Sequence, residues 1–118
     1  VLRSRNKLLT ASVSPSRFRL EDGYDVSRLS PQLDMVLLKG FDFNFERKDG
    51  ARHHAPLVPS GNDPLAKYFN VDYAVRYWLE HGARRQQLVL GIPLHARTYT
   101  LAEPSEWKEG SPVTAGGR

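Results

Sequence analysis

Asn70-Val71-Asp72-Tyr73-Ala74-Val75-Arg76-Tyr77-Trp78-Leu79-Glu80-His81-Gly82, followed shortly by Gln87-Leu88-Val89-Leu90-Gly91-Ile92, is the stretch that decides the fold class. Its first half is a helix by pattern. Val71, Ala74, Val75, Trp78 and Leu79 recur at the i, i+3, i+4, i+7, i+8 spacing that lines one helix face, Asn70 has a side chain suited to the N-cap, and Gly82 stops the run. Its second half is short and continuously apolar, the pattern of a strand buried on both faces. Working outward, two more runs of that kind occur, Leu8 to Val13 and Asp34 to Leu38. Between them Gly23 acts as a breaker and a weak helical stretch runs from about Asp25 to Leu33, with Pro31 inside it. The order is therefore strand, short helix, strand, helix, strand. Continuous apolar strands alternating with helices predict an α/β protein, a parallel sheet covered by helices. No internal repeat or low-complexity tract interrupts it.

Composition agrees with one small globular unit: 118 residues, 40% hydrophobic and 25% charged. No apolar run approaches the ~18 residues that would span a bilayer, so no membrane association is expected. The absence of cysteine excludes a disulfide framework, a thiolate nucleophile and a cysteine zinc site within these residues. A formal charge of +4 and a pI near 9.6 are consistent with an anionic partner. The basic residues, however, are scattered through Arg3, Arg5, Lys7, Arg17, Arg19, Arg84 and Arg85 and carry no recognition motif, so a nucleic-acid partner is not expected. The sequence opens at Val1 and closes on Thr114-Ala115-Gly116-Gly117-Arg118, and both ends read as cuts through a longer chain.

The stretch from Lys39 to Tyr68 is too long for a plain strand-to-helix connection, and loops of that length are usually functional. It holds Asp42, Asn44, His53, His54 and three prolines, and it leaves the second strand at the edge where parallel sheets build their sites. The third strand ends on the same edge in Pro93-Leu94-His95-Ala96-Arg97. Lys39, Asp42, His95 and Arg97 are thus candidate site residues. Each has a plainer reading. An Asp just past a strand often forms the turn, Asp42 and Arg97 could be a simple ion pair, and Trp78 reads as core. His53 and His54 point apart if extended and fit no metal-ligand spacing, so no metal or cofactor is expected.

Several segments, in order, resemble glycoside hydrolase family 18, the chitinases and chitinase-like proteins. Leu8-Leu9-Thr10-Ala11-Ser12-Val13 is similar to the family's L-L-T-A-A-V strand. Gly23-Tyr24-Asp25-Val26 followed by Leu33-Asp34 is similar to its G-Y-D-V-P and L-D-F-I segments. Asn70 to Val75 with Tyr77-Trp78 is close to N-V-D-Y-A-V-x-Y-W, Leu88 to Pro93 with Arg97 to L-V-L-G-I-P-x-Y-G-R, and Pro112 to Gly117 to G-A-P-x-x-G-x-G. The resemblance covers nearly the whole chain. It implies that residues 1–118 are an internal part of the family's catalytic domain. That domain is an eight-stranded (β/α) TIM barrel, to which this chain would supply roughly strands 5 to 7, with 98–118 opening the segment after strand 7. A complete barrel needs about 250 residues, so isolated folding is doubtful and apolar strand flanks should be left exposed.

What the resemblance implies chemically is a domain that binds β-1,4-linked N-acetylglucosamine polymers (chitin). It would either hydrolyse them with retention, the substrate's own acetamido oxygen attacking, or, as the alternative, hold them as a catalytically inactive lectin or growth-factor-type protein. The family's general acid is the Glu of D-x-x-D-x-D-x-E, a motif that these residues do not contain, so no catalytic residue is assigned here. The supporting pocket is present but altered. Active relatives read M-T-Y-D-F-H-G-S-W where this chain reads Lys39-Gly40-Phe41-Asp42-Phe43-Asn44-Phe45-Glu46-Arg47. Asp42 keeps the substrate-contacting carboxylate, Phe41 replaces the tyrosine that orients the acetamide, Lys39 replaces a pocket methionine, and Arg47 stands for a sugar-stacking tryptophan. His95 replaces a second tyrosine, and Arg97 matches the family's arginine. Asp42, Arg97, Phe41, His95, Lys39 and Asn44 are the expected substrate-binding residues. A weakened or absent hydrolase fits those substitutions better than a strong one. The family further implies an extracellular protein, monomeric at full length.

Overall fold

Three short strands in one parallel sheet form the frame on which the loops of the chain are hung. The computed structural model describes residues 2–44, 50–61, 63–105 and 107–117. Strands β1 (Thr10–Val13), β2 (Met35–Lys39) and β3 (Leu88–Gly91) lie side by side in that order, all parallel. Thr10 pairs with Met35, and Val36 with Leu88, so the C-terminal ends of β2 and β3 finish together, Lys39 opposite Gly91. Alternation along β2 sorts its two faces. Val36 and Leu38 are fully buried under the helices, whereas Lys39, two residues beyond Leu37, is exposed on the opposite face.

The helix predicted after Asn70 is present as α3 (Val71–Glu80), the third α-helix among the described residues. Asn70 caps it, its side-chain oxygen accepting from the Tyr73 N–H at 2.8 Å. Val71, Ala74 and Trp78 are buried, Val75 packs against them, and Gly82 supplies the positive φ, +105°, that ends the turn. Trp78 is core, as its position in the pattern predicts, with Tyr24 tilted against its ring at 5.5 Å.

The connection between β1 and β2 is more helical than the sequence pattern predicts. Helix α1 (Arg17–Gly23) fills the span before the expected break, and α2 (Val26–Leu29) passes into a 3-10 turn at Ser30–Gln32. Leu20 anchors α1, fully buried, and the Tyr77 hydroxyl donates to the Leu20 carbonyl at 3.2 Å, tying α1 to α3. The strands are shorter than the apolar runs. Leu8 and Leu9 precede β1 and Ile92 follows β3, because pairing starts at Thr10 with Met35 and ends at Gly91, two residues before Pro93. The closing segment forms a separate antiparallel pair, β4 (Tyr99–Leu101) with β5 (Val113–Gly116), which the sequence reading does not predict.

The long loop is fixed from both sides. The Val71 and Asp72 N–H groups donate to the Pro56 and Leu57 carbonyls, so residues 56–57 rest on the start of α3. The Ala51 N–H donates to the Ser111 carbonyl and the Gly110 N–H to the Ala51 carbonyl, clamping the loop to the β4–β5 segment. Arg52 and Asp63 form a 3.1 Å ion pair, nearly buried on both sides.

Candidate functional site

Beyond Lys39 the β2–β3 ladder gains one more rung, the Gly40 N–H donating to the Gly91 carbonyl at 3.0 Å. Only glycine fits there: a Cβ on residue 40 would stand 2.7 Å from both the Gly91 oxygen and Leu90 Cδ1. The chain then turns sharply at Asp42, whose φ of +61° lies in the left-handed region that Asp tolerates better than most residues. Phe43 drops into the core, its N–H donating to the His54 carbonyl, and the Asn44 amide donates to the His53 carbonyl at 2.8 Å. These two bonds lay residues 53–54 alongside residues 43–44. They carry His54 to the rim where Asp42 turns.

Three groups converge on the Asp42 carboxylate. From the end of β3, the Arg97 guanidinium donates to Oδ1 twice, from Nη2 at 2.6 Å and Nε at 3.1 Å. His95 Nε2 lies 3.9 Å from the same oxygen and His54 Nδ1 3.7 Å from it. The Phe41 ring meets the His95 ring edge-on at 5.6 Å, and His54 and His95 face each other at 4.9 Å. Burial pushes the Asp42 carboxyl up. The Arg97 hydrogen bonds and charge, reinforced by His95 and His54, outweigh that and hold it below its ordinary value. The result is an ionised carboxylate, fixed by a charge-assisted fork, on a rim with aromatic and imidazole faces.

Of the residues singled out by sequence, the structure brings together Phe41, Asp42, His95 and Arg97. Lys39 lies apart on the exposed sheet face and makes no ion pair among the described residues; the counterion of Asp42 is Arg97. Asn44 is buried, and its amide holds the loop. Arg47 lies outside the described residues. His54 belongs to the cluster without having been singled out. The one sequence signal was its presence in an overlong loop beginning at a strand end, and the spatial neighbour it finds, Asp42, follows from backbone pairing that no local spacing encodes.

Residues 2–115 match the family described as Glycosyl hydrolases family 18. The chain belongs to that family. Among relatives, it is 42% identical over 101 residues to Probable chitinase 10 of Drosophila melanogaster, covering 84% of this chain and 4% of that one. It is 36% identical over 111 residues to Chitotriosidase-1 of Mus musculus, covering 93% and 24%. A solved structure of human YKL-39 superposes with a TM-score of 0.86 at 35% identity, over 93% of this chain and 31% of that one. The chain thus spans less than a third of the length of these relatives. Its three parallel strands and their covering helices are one sector of a family 18 domain, whose full fold is a TIM barrel.

Proposed function

We propose that the Asp42 rim forms one wall of a cleft that binds β-1,4-linked N-acetylglucosamine oligomers, chitin or its fragments. The observation that carries this reading is the fixed carboxylate. Saccharide sites pair aromatic faces with a few directed hydrogen-bond acceptors and donors, and Asp42 offers an ionised acceptor pinned by Arg97 beside the His95 ring, which the Phe41 ring meets edge-on. YKL-39 lends support, being described as a pseudo-chitinase with retained chitooligosaccharide binding properties. In this reading the chain supplies about strands 5 to 7 of the barrel, residues 98–118 open the segment after strand 7, and the whole protein acts outside the cell as a monomer.

Binding is favoured over hydrolysis by the groups around Asp42. Phe41 presents a ring without a hydroxyl, so it cannot donate to an acetamide oxygen, a loss of about 1–3 kcal/mol of positioning. Lys39, without an acidic partner among the described residues, adds an ammonium on the barrel-facing side of β2, which opposes a developing oxazolinium-like positive charge. The experiment is calorimetric titration of the full-length protein with chitotetraose. Binding is expected, with Asp42→Ala weakening it by roughly tenfold or more, the scale of a charged hydrogen bond. Equal affinity in Asp42→Ala would overturn the reading.

A further inference from the structure

The two imidazoles on Asp42 arrive from different parts of the chain, His54 from the returning loop and His95 from beyond β3, and the saccharide reading uses the His95 ring face but not the approach of either ring nitrogen to the carboxylate. His54 Nε2 stands 3.1 Å from the His95 backbone carbonyl. A carbonyl only accepts, so Nε2 carries the proton, and in the neutral ring Nδ1 is then a bare lone pair. That lone pair is buried, has no hydrogen-bond partner among the described residues, and lies 3.7 Å from the ionised Asp42 Oδ1. Two acceptors face each other across a gap that a cation would fill. His95 Nε2 completes a triangle, the three ligand atoms lying within 4.8 Å of one another.

We infer that Asp42, His54 and His95 form a binding site for a first-row divalent transition metal of the zinc class. Two imidazole nitrogens and one carboxylate oxygen are a donor set such ions favour over magnesium or calcium. Bond lengths of about 2.0–2.1 Å put the ligand atoms of a tetrahedral ion roughly 3.3–3.5 Å apart. The 3.7 and 3.9 Å separations to Oδ1 close with side-chain shifts of a few tenths of an ångström, while the widest edge of the triangle, up to 4.8 Å, closes by roughly an ångström or more through rotation of the half-exposed His95 ring. The His54 Nε2 contact with the His95 carbonyl supplies the outer hydrogen bond that fixes tautomer and ring orientation in metal-ligating histidines. Three protein ligands leave a fourth position for water or another small ligand. Arg97 competes with the ion for Oδ1, so loading loosens the Arg97–Asp42 fork and the guanidinium limits the affinity. The inference shares Asp42 and His95 with the saccharide reading but does not rest on it, and its test uses no saccharide.

The test is calorimetric titration of chelator-stripped full-length protein with Zn²⁺ alone, at neutral pH and without saccharide. One equivalent is expected to bind. His95→Ala, at a half-exposed position that tolerates truncation, should weaken binding by at least about tenfold, His54→Gln likewise, and Arg97→Ala should strengthen it. His53→Ala, which alters only the exposed neighbour, should change nothing. Co²⁺ in place of Zn²⁺ should give the visible bands of a nitrogen- and oxygen-ligated ion, lost in His95→Ala. No stoichiometric binding, or binding that survives both His54→Gln and His95→Ala, overturns the inference.

Discussion

At the scale of single residues, Asp42 organises the rim because three cationic or potentially cationic side chains approach its carboxylate. Its folded value lies below its unfolded value, so the ion pair's contribution is fully present above the unfolded value and is lost as pH falls through the folded one. Across weakly acidic and neutral pH the carboxylate stays ionised and paired. Side-chain NMR titration of the full-length protein should place the Asp42 midpoint below that of an ordinary aspartate. Arg97→Ala should move it up, since the Arg97 hydrogen bonds and charge are the leading groups lowering it. A midpoint indifferent to Arg97 would mean that another group holds the carboxylate. This part of the site was legible in sequence because Asp42, His95 and Arg97 follow strand ends that a parallel sheet places on one edge. His54 was not, since its arrival depends on the Phe43 N–H and the Asn44 amide reaching the carbonyls of His54 and His53.

At the scale of elements, the site depends on how closely β2 and β3 approach at their ends. Gly40→Ala places a methyl against backbone oxygen and Leu90, so strand ends must separate, and a loss of about 1–3 kcal/mol is expected in denaturant unfolding, together with weaker saccharide binding. Gly23→Ala is the matched control: nothing lies within 4 Å of the added carbon, and the change should be neutral or slightly stabilising. The loop that delivers His54 relies in turn on the Arg52–Asp63 pair, whose side chains are 15% and 10% exposed. Asp63→Asn removes one charged partner of a nearly buried guanidinium and should destabilise the loop, read out as faster proteolysis between β2 and α3 and a lower unfolding midpoint. Legibility differs by element for physical reasons. Helix α3 announces itself through a cap and a five-residue apolar face. Helix α1 buries only Leu20, leaves Phe18 exposed, and starts at Ser16 without a side-chain cap, so its pattern is too faint to read. The β4–β5 pair is short and carries a register shift, which breaks the alternation by which strands are recognised.

At the scale of the whole molecule, the fold closes one core and leaves two sheet edges open, because β1 and β3 each have a single neighbour. The accessible surface is 8275 Å², against roughly 6,500 Å² for a compact monomer of this mass. The radius of gyration is 16.9 Å, where a compact chain of this length would have about 13.5 Å. Large apolar side chains stand on that surface: Leu8, Ile92 and Leu94 are 69%, 74% and 101% exposed, and Val89 and Leu90 on edge strand β3 are more than a third exposed. In a closed barrel every strand has two neighbours, so no strand edge of the kind β1 and β3 present is left open. Residues 1–118 expressed alone should therefore bind a hydrophobic dye, associate in a concentration-dependent manner, and melt without the sharp heat-absorption peak of a two-state domain. The same residues within the full-length protein should unfold with it in a single cooperative transition. Calorimetry and light scattering on both forms decide the matter. A compact monomer of 118 residues with a cooperative melt would show that the three-stranded sheet protects its own edges, and the barrel reading of how this sector is stabilised would fail.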